Sequence, residues 1–521
     1  ADGSQATVAS DASWKITSKG PIVANNEFDG EEYDARLEME GWNTNGFDDG
    51  AWKTPDVMEA PAGKLTAQQN PNLRVQETLK PVAIFERPDG KYILDMGQNM
   101  VGWLSVDLKG EKDKPVSMKF AELLQKDGSL YLANLRTAQV TDIYTPAEDG
   151  DFSWQPRFVY HGFRFVEVSG LDYKPELSAF TGHVIYDEMA TTGRFETSNP
   201  LVDRIHKNAY WGIRGNYRGM PTDCPQRDER LGWTGDAQIF APTACYFMDT
   251  RAFYTKFLYA LRMSQKFLGG GVPNYLPDIG HASGISSVWG DAAVLIPQTL
   301  YRQYGDLLIL EKNYALMKDW VDYIGSEDKK GNNSYLYDTG FHFGDWLAQD
   351  GITPTSMKGG TDDYFIASVY YYHSVCVVAD AANLLSKRED CIFYRELKEK
   401  IKAAVFREYF TPSGRLAVDT QTAIIKALRF DVYIDRDKLT GQLKERLRRD
   451  SYRIKGGFVG APVICSVLAS KGFAKRAYDF LFSEEYPSWL YCVNLGATTI
   501  WERWNSLLPD GKISGTGMNS L

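Results

Sequence analysis

The sequence predicts a multidomain protein in which N-terminal β-sandwich modules precede an (α/α)6 toroid. Three observations carry that expectation. A chain of 521 residues with 43% hydrophobic content can bury about two to four separate cores. From about Lys80 to Glu188 short alternating runs are separated by Gly, Asp and Pro turns. After Thr197-Ser198-Asn199-Pro200 helical periodicity takes over, with little strand signal thereafter.

Taken in order, residues 1–79 are polar and turn-rich, with Trp14, Tyr33, Trp42 and Trp52 punctuating short segments. Loops and short strands fit that pattern. The aromatics suit a carbohydrate-binding β-module, and each also suits a structural role in a small β-fold. Residues 80–188 carry the runs YILDMGQNMVGWLSVDLKG, VSMKFAELL, QVTDIYTP and FSWQPRFVYHGFRFVEVSG, which predict an antiparallel β-sandwich. In residues 189–521, Asn199 and Pro200 read as a helix N-cap with proline at the first helical position. Roughly a dozen helical segments follow. Several, such as DYFIASVYYYHSVCVVADAANLLS, are apolar on more than one side, which indicates two packed layers of helices. A closed ring of helix pairs accounts for about twelve consecutive helices with their loops at one end. A helical solenoid ranks second, because no self-similar repeat of its usual period is visible.

A net charge of −10 with no long Lys/Arg run argues against nucleic acid or another polyanion as partner. Six cysteines without C-x-x-C spacing and six histidines without an H-x-x-x-H pair give no support to a metal centre or dense disulfide scaffold, so no metal or cofactor is expected. A Cys224–Cys245 bridge is a minor alternative. No apolar stretch of membrane-spanning length is apparent. The N-terminus lacks a basic region followed by an apolar core, as in a secreted or periplasmic protein whose signal is gone, and that compartment is favoured over the cytoplasm. Oligomeric state is not legible.

The chemistry concentrates in loops. Thr222 to Gln238 reads TDCPQRDERLGWTGDAQ, where carboxylates and guanidinium forks can hydrogen-bond a polyhydroxylated ligand while an indole face stacks on it. A charged helix-capping loop with internal ion pairs is the competing reading. Trp233, Trp289, Trp346, Trp489 and Trp501 stand near Asp, Glu or Arg, as a sugar pocket requires, although plain packing would place them equally well. Metal-free glycoside hydrolysis needs two carboxyl groups, one an acid of raised pKa and one a base or nucleophile. Glu229, close to Asp223, Asp228 and Asp236, is a candidate acid that neighbouring charge could keep protonated. Glu502, between Trp501 and Trp504 in an otherwise apolar run, is the candidate partner; an ion pair with Arg503 or a distant arginine is its alternative role.

The run DCPQRDERLGWTGDAQ from Asp223 to Gln238, the WGDA of Trp289 to Ala292, the GDWLA of Gly344 to Ala348 and the GATTIWERW of Gly496 to Trp504 closely resemble the inverting α-L-rhamnosidases of glycoside hydrolase family 78. The resemblance covers most of the chain from about Asp11 onward. It implies release of terminal α-L-rhamnose from an oligosaccharide or glycoside, with Glu229 as general acid and Glu502 as the base that activates water. It also implies that Asp223, Arg227 and Asp236 bind rhamnose hydroxyls and that Trp233, Trp289 and Trp346 wall the pocket. Asp291 and Asp345 join the substrate residues in supporting roles. The family continues past the ERW motif into a segment bearing an active-site histidine, then closing helix and a further β-sandwich. The resemblance therefore implies that residues 1–79 are part of a lectin-like module, that the toroid over 189–521 is incomplete at its C-terminus, and that the chain is a piece of a longer protein.

Two other functions compete. A catalytically impaired carbohydrate-binding protein on the same fold would keep sugar affinity without turnover. A polysaccharide lyase on a similar toroid fits poorly, since the Asp/Glu cluster would repel an acidic substrate.

Overall fold

The structure, a computed structural model, describes residues 2–280, 284–351, 353, 356–514 and 517–520. His281, one of the six histidines, lies outside them. The chain divides into two compact units, residues 1–68 with 77–184 and residues 69–76 with 185–521.

The first unit is sheet-rich. Its strands belong to the series β1 (Ile22–Asn26), β2 (Gly30–Asp34), β3 (Leu73–Leu79), β4 (Ala83–Glu86), β5 (Tyr92–Gly110), β6 (Val116–Ala121), β7 (Thr141–Thr145), β8 (Gly150–Trp154), β9 (His161–Ser169) and β10 (Phe180–Asp187). The sheet runs β1-β2-β7-β6-β9-β5-β10, with β4 and β8 also paired to β5. Only β2 and β7 run parallel among these pairs. The run YILDMGQNMVGWLSVDLKG forms β5, and its partners change along its length. Its first residues pair with β4 and β9, the register slips between Asp95 and Met100 where Gly97 has φ 72°, and its later residues pair with β10 and β8. That bulge bends the strand. Leu94, Met100, Phe120, Phe163, Val166 and Phe180 are fully buried along these strands. Gly30 opens β2 at φ 114° with the Thr141 carbonyl oxygen 2.1 Å from where a Cβ would stand, so only glycine fits there.

The second unit is helical. It contains α1 (Pro200–Asn216), α2 (Thr234–Phe247), α3 (Arg251–Phe267), α4 (Ala292–Tyr304), α5 (Leu307–Lys330), α6 (Asp363–Leu384), α7 (Arg388–Tyr409), α8 (Gln421–Arg429), α9 (Arg436–Arg449), α10 (Ile464–Ser470), α11 (Ala474–Leu481) and α12 (Trp489–Asn494). As the sequence predicts, the Asn199 side chain caps α1 by accepting from Leu201 N, with Pro200 at the start. The segment around α12 reads as loop in the sequence. The structure corrects this to a short helix, capped by the Ser488 side chain accepting from Tyr491 N; at six residues it is too short to display a period.

Packing separates two layers. α2 contacts α4, α4 contacts α6, α6 contacts α8 and α8 contacts α10, while α3, α5, α7, α9 and α11 pack beside them and α1 meets α12. Among the inner members α8 is buried all round, every residue from Gln421 to Leu428, whereas the outer α9 buries only Leu439, Leu443 and Leu447 on one stripe. α6 is long and apolar enough to cross a membrane by length and composition, yet 83% of its apolar window is buried inside the fold, as suits a core helix.

Connections sort with the layers. Short turns lead from α2 to α3, α4 to α5, α6 to α7 and α10 to α11, while the long loops 217–233, 268–291, 331–362 and 450–463 each lead into an inner helix. Those long loops therefore gather at one end of the helices. The motifs with candidate chemistry lie in them, run from them into the start of α2 or α4, or lie in the segment after α12.

Candidate active site

The loop before α2 folds back on itself. Asp223 N donates to Leu231 O at 3.0 Å and Leu231 N donates to Asp223 Oδ1 at 3.0 Å, with Arg230 at φ 52° making the reversal. Gly232 and Trp233 then pair antiparallel with Leu276 and Tyr275, and α2 begins at Thr234 with Asp236 in its first turn. Between that closed loop and the segment after α12 stands Arg227. Its Nε donates to Glu229 Oε2 at 2.9 Å, its Nη1 to Glu502 Oε2 at 2.8 Å and its Nη2 to Asp223 Oδ2 at 3.4 Å. One guanidinium thus holds three carboxylates, a task its planar fork performs and a lysine's point charge does not.

The carboxylates differ in surroundings. Glu229 Oε1 accepts from Trp233 Nε1 at 2.9 Å. Glu502 Oε2 also accepts from Gly517 N at 3.1 Å. Burial raises the Glu502 pKa, but the charge and hydrogen bond of Arg227 and the Gly517 N–H outweigh it and hold the carboxyl below its ordinary value. Asp223 goes the other way: burial, then repulsion from Glu229, pushes it up to about 7. Burial, with the negative charges of Asp223, Glu229 and Glu502, also drives Asp236 well above its ordinary value. The pocket therefore combines an acid held ionised with neighbours that favour their protons, an arrangement suited to acid and base work at one centre.

The three domain models of one family match this chain from end to end. The N-terminal domain of the α-L-rhamnosidases matches residues 1–77, the bacterial α-L-rhamnosidase concanavalin-like domain matches 85–186, and the bacterial α-L-rhamnosidase six-hairpin glycosidase domain matches 190–521. The chain belongs to the bacterial α-L-rhamnosidase family. An α-L-rhamnosidase of Formosa agariphila is 38% identical over all of this chain and 56% of its own length. The crystal structure of Streptomyces avermitilis α-L-rhamnosidase complexed with L-rhamnose matches with TM-score 0.93 at 36% identity, over all of this chain and 50% of that one. Native α-L-rhamnosidase from Aspergillus terreus matches with TM-score 0.93 at 35% identity, over all of this chain and 61% of that one. The chain spans about half the length of the curated α-L-rhamnosidases it matches. The two helical layers are the six-hairpin domain of this family, as expected for a toroid, and the sheet-rich unit precedes it.

The remaining residues that the sequence singles out surround the Arg227 cluster at different depths. Trp233, Trp289 and Trp346 are joined through Phe343, whose ring lies 5.9, 4.3 and 5.6 Å from theirs. Trp289 is buried and stacks on Phe458 at 5.3 Å. Gly235 must be glycine, because a Cβ there would come within 2.6 Å of the Trp289 indole. Asp236 and Glu502 line a cavity of about 420 Å³ together with Phe240, Leu347, Phe458 and Trp501, a size fit for a small ligand.

Asp291 and Asp345 are fully buried and turned into the protein. Asp291 Oδ1 accepts from Trp320 Nε1 at 2.9 Å and Ser374 Oγ at 2.6 Å, and its Oδ2 accepts from Val288 N at 2.7 Å and Ser287 Oγ at 3.2 Å. Asp345 Oδ1 accepts from Val459 N and Gly460 N at 2.9 and 3.2 Å, and its Oδ2 from Gly457 N at 3.0 Å and Thr422 Oγ1 at 2.5 Å. Each therefore pins a loop rather than facing the cavity. Three of the motif loops carry a non-glycine residue at positive φ, Arg230 at 52°, Val288 at 72° and Leu347 at 60°, conformations that persist only where surrounding bonds enforce them.

Phe343, His342 and Gly517 escape the sequence reading. Burial, then Lys358, pushes the His342 pKa down to about 4, so its neutral Nδ1 can accept from Ser287 N at 3.1 Å and tie the two loops together. The aromatic pair flanking His342, two positions before the GDW motif, is the one signal that pointed there. As for a metal, Asp223, Cys224 and Glu229 each offer a ligand atom within 4.8 Å of the others. Arg227 already occupies an oxygen of both acids, and its charge opposes a cation at that point. All six cysteines are free thiols.

Proposed function

We propose that the chain releases terminal α-L-rhamnose from glycans or glycosides by an inverting, metal-independent general acid/general base mechanism. Glu229 acts as general acid, giving its proton to the glycosidic oxygen. Glu502 acts as general base, taking a proton from the water that attacks the anomeric carbon from the opposite face. Asp223, Arg227 and Asp236 hydrogen-bond the sugar hydroxyls, Trp233, Trp289 and Trp346 form the apolar walls suited to a deoxysugar methyl, and Asp291 and Asp345 fix the loops that carry them.

The observation that carries this reading is the shared guanidinium of Arg227 between Glu229 and Glu502. It brings the two glutamates to one centre and favours the ionised form of Glu502, which a base requires. The names of the relatives and the L-rhamnose in the Streptomyces avermitilis complex support the choice of sugar.

The test is an NMR time course on an aryl α-L-rhamnoside. Inversion places the newly formed hydroxyl on the opposite anomeric face, so β-L-rhamnose appears first and mutarotates later. First appearance of the α-anomer would overturn the inverting assignment. Sugar binding without turnover would favour an impaired carbohydrate-binding protein.

A further inference from the structure

The two buried aspartates that pin loops are each reached from an inner helix. Asp291, which also holds Val288 N and Ser287 Oγ, accepts from Ser374 on α6, and Asp345, which holds the 457–460 loop, accepts from Thr422 on α8. Tyr370 stands four residues before Ser374, and Lys426 four residues after Thr422. Each therefore shares a helix face with the residue that meets the aspartate. Lys426 Nζ donates to Tyr370 Oη at 2.9 Å. A continuous line thus runs from Asp291 along α6, across the Tyr370–Lys426 bond, and along α8 to Asp345.

An ammonium is a costly way to make that link. Lys426 is buried on a helix that is buried all round, and burial pushes its pKa down to about 7. Among the described residues no carboxylate comes within ion-pairing distance of it. Its charge faces the rings of Tyr370 and Phe430, 5.0 and 5.5 Å from Nζ. His373, stacked on Phe430 at 4.1 Å, offers no counter-ion, since burial and then the Lys426 charge push its pKa down to about 3. Arg429 repels the ammonium, Asp345 attracts it from beyond contact, and the Gln238 side chain of α2 reaches Tyr370. An apolar side chain of the same length would pack there at less cost. We infer that Lys426 is a positioning residue for the sugar pocket: through Tyr370 it ties α6 to α8 and so keeps the loop held by Asp291, which carries Trp289, in register with the loops held by Asp345, which carry Trp346 and Phe458. This rests on the assignment of Trp289 and Trp346 as pocket walls.

The experiment compares the wild-type chain with Lys426→Met, Tyr370→Phe and the double variant. Each single substitution is expected to raise KM for an aryl α-L-rhamnoside and Kd for L-rhamnose about tenfold, with kcat changed less than about threefold. The double variant should match the singles, because both remove the same bond. Amide hydrogen exchange should speed up together at Val288, Gly457 and Val459, the N–H groups that the two aspartates hold. Lys426→Met should nonetheless unfold at the same or a higher denaturant concentration than wild type. Exchange that is unchanged, that rises in the loop of one aspartate alone, or that rises throughout the helical unit with lower stability would overturn the inference. Additive losses in the double variant, or loosened loops with KM and L-rhamnose affinity unchanged, would also overturn it. Should the wild-type chain neither hydrolyse the rhamnoside nor bind L-rhamnose, the proposed activity fails, whereas the exchange comparison still decides whether Lys426 ties the two sets of loops.

Discussion

Arg227 Nη1 donates to Glu502 Oε2 at 2.8 Å, joining residues 275 positions apart in the chain. The same side chain reaches Glu229 and Asp223, so substitution by lysine keeps a charge while abandoning the geometry. Arg227→Lys is expected to lower kcat on an aryl rhamnoside about 100-fold or more, comparable to removing one preorganised donor from a catalytic site. Glu502 would also lose the donor that holds it below its ordinary value. A less acidic base becomes protonated at higher pH, so the acidic limb of the kcat/KM profile should move upward. A profile that keeps its acidic limb in place would remove Arg227 from the control of Glu502.

Glu229→Gln separates the acid role from a structural one. Glutamine keeps the shape and one acceptor oxygen, enough for Trp233 Nε1 or Arg227 Nε but not for both, and its amide has no acidic proton to give. Turnover of a poor leaving group should fall by roughly 100- to 10,000-fold, while a rhamnoside with an activated phenol should lose far less. Equal loss on both would count against the acid assignment.

How much of this was legible in the sequence depends on what kind of information each feature needs. Periods of two and of about 3.6 survive in single segments, so the β-run 92–110 and the core helix 363–384 are readable where they stand. Glu229 and Glu502 are readable because a carboxylate between tryptophans or among other acids is chemically conspicuous. The partner of Glu502 is not, since Arg503 or any distant arginine is available to it on paper and only the fold selects Arg227. Orientation is equally hidden. The motifs WGDA and GDWLA display Asp291 and Asp345 beside tryptophans, but the direction of each carboxylate is decided by Trp320, Ser374, Thr422 and backbone N–H groups far away in sequence. Phe343 is invisible for a similar reason: its importance lies in meeting three tryptophans from three different loops.

Asp223 gives the site a pH signature in stability. Its ordinary pKa of 3.8 rises to about 7 in the fold, through burial first and the Glu229 charge second. Between those values the native chain retains a proton that the unfolded chain has released. The unfolded state therefore binds fewer protons, and the Asp223 contribution makes stability fall as pH rises from about 4 to about 7, then level off. Asp223→Asn removes that slope. Its melting temperature should exceed wild type by more at about pH 8 than at about pH 4, alongside a large loss of activity, as expected where function is kept at the expense of stability. A melting-temperature difference independent of pH would show that Asp223 does not titrate in this window.

Asp345 tests whether a buried carboxylate can govern the site without touching its cavity. Four donors converge on it, three of them backbone N–H groups of the 457–460 loop. In Asp345→Asn one oxygen becomes an NH2 that faces other donors, so at least one charge-assisted bond is lost and a donor is left unpaired. The cost should be about 3 kcal/mol in denaturant unfolding of the helical unit. Phe458, in the middle of that loop, stacks on Trp289, and Phe458 N donates to Trp346 O at 2.8 Å. Loosening the loop therefore frees two of the proposed pocket walls together, and KM should rise more than kcat falls, because the two glutamates are held by Arg227 from the other side. Wild-type stability in Asp345→Asn, or a loss confined to kcat, would contradict this account of how the walls are positioned.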